Sequence, residues 1–150
     1  MKRTILYIDD NKYDAVIVAR ALAREDLAAE LFAVHDGCDA ADWLTATGAY
    51  ADREKHPAPD LLVVDLKMPR NSGFDLMEFV QARRELKKLP IIVYTDSENP
   101  ADKLKAFQLG ANAYVTKDQG TDPLMTYVRA AVTTLSSTNE LPRQNSGQFD

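Results

Sequence analysis

Leu61-Leu62-Val63-Val64-Asp65 is four consecutive large apolar residues stopped by a carboxylate, and it decides the fold. The run does not alternate polar with apolar, so it suits a strand buried on both faces, as in a parallel sheet covered by helices. Two more runs share this character: Ile5 to Ile8 upstream, ending in Asp9-Asp10, and Ile91 to Tyr94 downstream, followed by Thr95. Weaker strands fit at Glu30 to Val34 and at Ala113 to Thr116, the latter just after Gly110. Helical spacing fills the intervals. Ala15, Val18, Ala19 and Leu22 form one stripe after a polar start at Asn11, and Cys38 to Ala46 follows the Asp36-Gly37 turn. Gly73 to Arg84 carries Leu76, Phe79 and Val80 on one side. Pro100 to Leu109 opens on a proline and stops at Gly110. Thr121 to Leu135 aligns Leu124, Val128, Ala131 and Leu135. Five strands alternating with five helices predict a single α/β domain around a parallel sheet.

The bulk properties agree with one folded unit and narrow its partners. The chain has 150 residues, 45% hydrophobic and 27% charged, with a formal net charge of -5. That length buries a core without disulfides or a structural metal. A mildly acidic chain is poorly suited to coating nucleic acid, and no DNA-binding domain is expected. Cys38 is the sole cysteine, which excludes an intrachain disulfide and a CxxC motif. No apolar run approaches a signal h-region or a membrane span, so a cytoplasmic, membrane-free protein is expected. Thr47 to Pro59 reads as a long polar connection. Residues 1–138 are expected to form the domain, and 139–150, rich in Ser, Asn, Gln and Gly, a flexible tail.

The chemistry lies in what ends each strand. Asp9 and Asp10 close the first, Asp65 the third, Thr95 the fourth, and Thr116-Lys117 the fifth. In open parallel sheets, the carboxyl ends of the strands line the ligand crevice. Three carboxylates, a hydroxyl and an ammonium are therefore expected at one edge. Carboxylates packed together repel and call for a cation. Aspartate oxygens with no His or Cys nearby favour a hard ion, and Mg²⁺ fits best because it keeps water and bridges to phosphate oxygens. Lys117 offers a point charge for a phosphoryl oxygen, Thr95 a hydrogen bond, and an aspartate can act as a nucleophile that becomes an aspartyl phosphate. Any one acid alone could be a helix cap; the five groups together are not explained that way.

Asp9-Asp10, then Leu61 to Asp65 continuing as Leu66-Lys67-Met68-Pro69 with Ser72-Gly73, then Val93-Tyr94-Thr95, then Tyr114-Val115-Thr116-Lys117, resembles the receiver domain of two-component response regulators over residues 4 to 135. The resemblance implies a doubly wound, flavodoxin-like five-stranded sheet in the order 2-1-3-4-5. It implies Asp65 as phosphoacceptor, with Mg²⁺ held by Asp9, Asp10, Asp65 and the backbone carbonyl of Lys67. Thr95 and Lys117 would contact the phosphoryl group, and Tyr114 would be an aromatic switch that follows Thr95. It also implies a sensor histidine kinase as donor, and a homodimer through the face built from Pro100 to Leu109, Ala113 to Thr116 and Thr121 to Leu135. The start Asp9-Asp10-Asn11-Lys12-Tyr13-Asp14, the Gly48 to Pro59 connection, and Pro90-Ile91-Ile92-Val93 followed by Ser97 are similar to the stand-alone regulators that partner bacterial phytochromes. One residue departs from the family pattern. The family usually has proline after the active-site lysine, whereas here Asp118 follows Lys117, so a trans bond and a differently seated loop are expected.

Two other readings stand beside this one. A Mg²⁺ phosphohydrolase commonly needs a second aspartate two residues after the nucleophile, and that position is Lys67, so no enzyme is expected. A receiver-shaped interaction module that works without phosphorylation is kept open by Asp118. Trp43, Phe32, Phe74, Phe79 and Phe107 read as core or half-core residues. His35 and His56, without spaced partners, read as loop or surface residues.

Overall fold

A computed structural model of the chain describes residues 2–68 and 72–136. Pro69 of the resemblance motif and the expected 139–150 tail lie outside the described residues. The strands are β1 (Arg3–Ile8), β2 (Ala29–Val34), β3 (Leu61–Val64), β4 (Ile91–Thr95) and β5 (Ala113–Thr116). The helices are α1 (Lys12–Ala23), α2 (Gly37–Thr45), α3 (Gly73–Gln81), α4 (Pro100–Gln108) and α5 (Asp122–Ser136). Every strand pairs in parallel, and the spatial order is β2-β1-β3-β4-β5, as expected.

Burial explains why the decisive runs do not alternate. Leu61, Leu62, Val63 and Val64 are all buried, as are the five residues of β4. Leu6, Ile8, Leu62, Val64, Ile91 and Val93 face α2, α3 and α4, packing with Trp43, Leu76, Met77, Val80 and Phe107. Ile5, Tyr7, Leu61, Val63, Ile92 and Tyr94 face α1 and α5, packing with Val18, Leu22, Leu124, Val128 and Val132. Each strand thus supplies both cores, and both faces exclude water.

The helix starts are fixed by side chains. The Asn11 carboxamide oxygen accepts from the backbone N–H groups of Tyr13 and Asp14, and Asp36 accepts from the N–H of Asp39. Ser72 and Asp75 form a reciprocal capping box at α3. Most element ends shift by a residue or so from the sequence reading, and two helix ends show why. α3 stops at Gln81 rather than Arg84, and the turns that follow lay Leu86 and Leu89 against the core. α2 stops at Thr45, with Ala46 in the left-handed region at φ 53°.

The 47–59 connection is more ordered than its polar composition suggests. Gly48–Tyr50 makes a 3₁₀ turn. The Arg53 guanidinium donates to the carbonyls of Trp43 (2.7 Å), Leu44 (3.0 Å) and His56 (3.1 Å). It thereby satisfies the Leu44 carbonyl at the C-terminal end of α2 and gives the Trp43 carbonyl a second donor beside the Ala46 N–H. His56 is not a bare loop residue, because its ring packs edge-on against Trp43 and Tyr50 at 4.8 and 5.1 Å.

Candidate functional site

Sheet register brings the acidic strand ends together. Ile8 is level with Val64, so Asp9 and Asp65 each leave the sheet one residue later, side by side. The N–H of Asp65 donates to the Ile8 carbonyl at 2.9 Å, and that of Asp9 to the Val34 carbonyl at 3.1 Å. Thr95 is level with Thr116 across the β4–β5 pair, which places Lys117 one residue beyond that level. Asp9, Asp10 and Asp65 each offer a carboxylate oxygen, and these oxygens all lie within 4.8 Å of one another. Asp9 and Asp65 are buried, whereas Asp10 is exposed and opens on a hollow shared with Lys67, Met68 and Phe74.

Lys117 enters this cluster with its side chain only 8% exposed. Its Nζ donates to Asp9 Oδ2 at 2.7 Å, to Asp65 Oδ2 at 3.1 Å and to Asp14 Oδ2 at 2.7 Å. Asp118 in the next position has not drawn the ammonium away. It is exposed, in the 3₁₀ turn Lys117–Gln119, and no peptide bond among the described residues is cis. Asp14 was not foreseen as part of the site. Apart from closing the Asp9 to Asp14 start, its sequence signal is a place in the first turn of α1, where an acid ordinarily reads as a partner for the helix dipole.

The Asp9 carboxylate is held on every side. It accepts from the Tyr7 hydroxyl (2.7 Å) and the Asn11 N–H (3.0 Å), while the His35 ring nitrogen Nδ1 lies 3.0 Å from the Asp9 carbonyl. His35 therefore braces the loop after β1, a role its isolation in the sequence did not signal. Burial pushes the Asp9 carboxyl above the usual range, and the bonds from Lys117, Asn11 and Tyr7 pull against that without reversing it. For Lys117 the balance is opposite. Burial alone would lower it, but hydrogen bonds to Asp14 and Asp9 and the charge of Asp65 raise it well above its ordinary value. The ammonium is thus firmly charged, and the Asp9 carboxylate is ionised at a cost.

Asp65 is oriented by both oxygens. Oδ1 accepts from the Leu66 N–H at 2.7 Å, and Oδ2 accepts from Lys117. Thr95 is buried, and its hydroxyl accepts from the Ser97 N–H at 3.4 Å rather than reaching the Asp65 carboxylate. Tyr114 lies inward, 7% exposed, and its hydroxyl donates to the Ser97 carbonyl at 2.9 Å. The structure therefore gathers Asp9, Asp10, Asp65 and Lys117 around one point. It places Thr95 and Tyr114 one step away, both tied to Ser97.

Residues 5–129 match the response regulator receiver domain. The chain belongs to that family. Rcp1, a response regulator of Synechocystis sp., is 29% identical over 140 residues, covering 93% of this chain and 93% of its own. The Mn²⁺-bound form of Rcp1 superposes with a TM-score of 0.76 over 93% of this chain and 99% of its own, at 29% identity. The phosphorylated cyanobacterial phytochrome response regulator RcpA gives 0.78 at 30% identity, covering 95% of this chain and 99% of its own. RPA3017, a response regulator in red-light signalling of R. palustris, gives 0.79 at 27% identity, with the same coverage. This chain is a receiver-domain signalling protein, and among its described residues no helix is long and apolar enough to cross a membrane.

Proposed function

We propose that this protein is a phosphorylation-gated response regulator whose phosphoacceptor is Asp65 and whose phosphodonor is a histidine kinase, of the phytochrome class that its relatives' names indicate. The observation that carries the reading is the meeting of three aspartate oxygens with the Lys117 ammonium at the strand ends. The donor set is all oxygen, from Asp9, Asp10 and Asp65, and suits a hard divalent ion such as Mg²⁺; the Lys67 carbonyl is the fourth protein ligand in this reading. Bound there, the ion neutralises charge that develops on the transferring phosphoryl oxygens. In the transfer, an Asp65 carboxylate oxygen forms the new bond to phosphorus as the bond from phosphorus to the kinase histidine nitrogen breaks. Leu66 N–H and Lys117 hold that carboxylate in place, which is the positioning such chemistry rewards.

Phosphorylation adds charge and acceptor oxygens at residue 65. Thr95 and Lys117 are the groups placed to answer it, and Ser97 links Thr95 to Tyr114 on β5. Output then passes to the face formed by α4, β5 and α5, where a hollow of about 410 Å³ is lined by Lys103, Tyr114 and Tyr127 among others. A second copy docking there gives a phosphorylation-dependent homodimer in the cytoplasm. On the other side of the site, α1 exposes Tyr13, Val16 and Ile17, an apolar stripe that begins beside the acidic cluster and suits the donor kinase.

The test is incubation with acetyl phosphate and Mg²⁺. The expected product is a hydroxylamine-labile acyl phosphate on wild type that is absent from Asp65→Asn. Equal labelling of both proteins, or none on wild type, rejects the assignment. Sedimentation with and without beryllofluoride tests the dimer, and a monomer in both states at high concentration rejects it.

A further inference from the structure

Lys117 has three N–H donors, and all three are committed: to Asp9, Asp65 and Asp14. Two of these carboxylates belong to the acidic trio and would share their oxygens with a divalent ion. Asp14 does not belong to it. It stands on α1, its backbone N–H bound by the Asn11 cap, with its side chain 24% exposed. We propose that Asp14 is a positioning residue for phosphoryl transfer, anchoring the Lys117 ammonium from α1 so that the ammonium stays beside Asp65 whatever the ion draws from Asp9 and Asp65. The inference rests on the phosphoacceptor reading above.

The geometry distinguishes an anchor from a competitor. If Asp14 competed with the site for Lys117, the ammonium could reach one only by leaving the other. Instead Nζ lies 2.7 Å from Asp14 and 3.1 Å from Asp65 at the same time. The donor aimed at Asp65 is free to follow an oxygen of the phosphorylated side chain while the donor to Asp14 stays where it is. A lysine side chain has a flexible four-carbon stem and no fixed fork, so it places its charge well only when something else holds it. The anchor is itself held: Asn11 caps α1 and binds Asp14 N–H, while the Asn11 N–H binds Asp9 Oδ1. One short loop thus fixes an oxygen of the trio and the residue that steadies Lys117.

The experiment compares phosphorylation rates from acetyl phosphate at saturating Mg²⁺, so that altered metal affinity does not enter. Asp14→Ala is expected to label about tenfold more slowly than wild type, the loss of one charge-assisted hydrogen bond. Asp14→Glu, which keeps the charge and has solvent on its open side, is expected to recover most of the rate. In a Lys117→Gln background, Asp14→Ala is expected to change nothing further, because its action runs through Lys117. If wild type labels on Asp65 and Asp14→Ala keeps pace with it, the proposal fails and the phosphoacceptor reading stands. A slowing by Asp14→Ala that is equally large without Lys117, or that Asp14→Glu does not relieve, assigns Asp14 a purely structural role and overturns the proposal. If wild type does not label at Asp65, both fall together.

Discussion

Gly73 opens α3 directly beneath the turn at Asp65 and Leu66, and adding one methyl group there tests how tightly the two are packed. A Cβ on Gly73 would lie 2.2 Å from the Asp65 carbonyl oxygen, 2.8 Å from Leu66 Cα and 3.0 Å from the Asp65 carbonyl carbon. Ordinary contact begins near 3.4 Å, so the helix start and the turn must separate by about 1.2 Å. All three obstacles are backbone atoms, and no rotamer change relieves them. The same displacement breaks the bond from the Gly73 N–H to the Leu66 carbonyl, 3.0 Å in the native fold. Overpacking costs about 1–3 kcal/mol, and an unyielding backbone puts Gly73→Ala near 3 kcal/mol. For a domain of this size that lowers the melting temperature by roughly 6–12 °C. Gly48→Ala is the control. Nothing lies within 4 Å of a Cβ there, and only its φ of +60° is unfavourable. It should cost about 1 kcal/mol, or roughly 2–4 °C. The assay is thermal unfolding followed by circular dichroism, with acetyl phosphate labelling of the surviving fold. Gly73→Ala should also label more slowly, because the peptide that must move carries Asp65 itself. A melting temperature for Gly73→Ala no lower than that of Gly48→Ala would refute the close approach and the steric argument built on it.

Arg53→Ala removes three hydrogen bonds to backbone carbonyls and should cost about 2 kcal/mol, lowering the melting temperature by roughly 4–8 °C; Arg53→Lys should recover little, since a single ammonium cannot span the same carbonyls. Trp43 fluorescence reads this transition directly, because Trp43 is one of the residues clamped. Tyr7, Tyr94 and Tyr114 are each pushed above their ordinary value of 10.0, chiefly by burial. Their contribution to stability is complete below that value and is lost as pH rises through the folded-state values. Unfolding should therefore become markedly easier above about pH 10, and the phenolate absorbance of these three should appear with unfolding rather than before it. Early absorbance from six tyrosines in a still-folded chain would contradict this. The raised Asp9 carboxyl makes the same argument at acid pH, where its protonated form is favoured by the fold and its ionisation as pH rises costs stability. Mg²⁺ should offset that cost, adding about 1.4 kcal/mol at tenfold its Kd near neutrality. The gain should shrink as acid protonates the ligands; an equal gain at both pH values would count against the acidic trio as the binding site.

The parts legible in the sequence are those governed by burial and by position along a strand. Leu61 to Val64 and the β4 run announce a sheet covered on both faces because no register could expose either side of them. Asp9, Asp65 and Lys117 could be placed together because the end of a parallel strand is a location that five runs define jointly. What escaped depends on backbone acceptors that carry no residue signature. Arg53 in a polar connection looks like any solvated cation until the α2 carbonyls are seen to converge on it. His35 has no spaced partner in sequence because its partner is the Asp9 carbonyl. Asp14 is chemically visible, but a first-turn acid already has an ordinary explanation, and only the path of Lys117 across to α1 supplies the other. The shortened α3 belongs to the same group, since Leu86 and Leu89 continue a plausible helical pattern yet reach the core only once the helix ends.

Ser97 links Thr95, at the edge of the acidic cluster, to Tyr114 on the outer face, and in the proposed switch the bond lengths there set the order in which contacts give way. Thr95 is held to Ser97 by a single hydrogen bond at 3.4 Å, near the limit for such contacts. Ser97 is held elsewhere by much shorter ones: its hydroxyl donates to Asp102 of α4 at 2.5 Å, and its carbonyl accepts from Tyr114 at 2.9 Å. The Thr95 hydroxyl can therefore turn towards new charge on Asp65 while losing little, whereas freeing Tyr114 forfeits a sound hydrogen bond worth about 1 kcal/mol. If phosphorylation moves Tyr114, that energy has to come from the contacts the phosphoryl group makes with Thr95 and Lys117. Ser97 then acts as the coupling point, because a displacement of its backbone alters the Thr95 bond and the Tyr114 bond together. Asp102 would restrain that displacement from α4, because its carboxylate joins the helix that borders the outer face to Ser97.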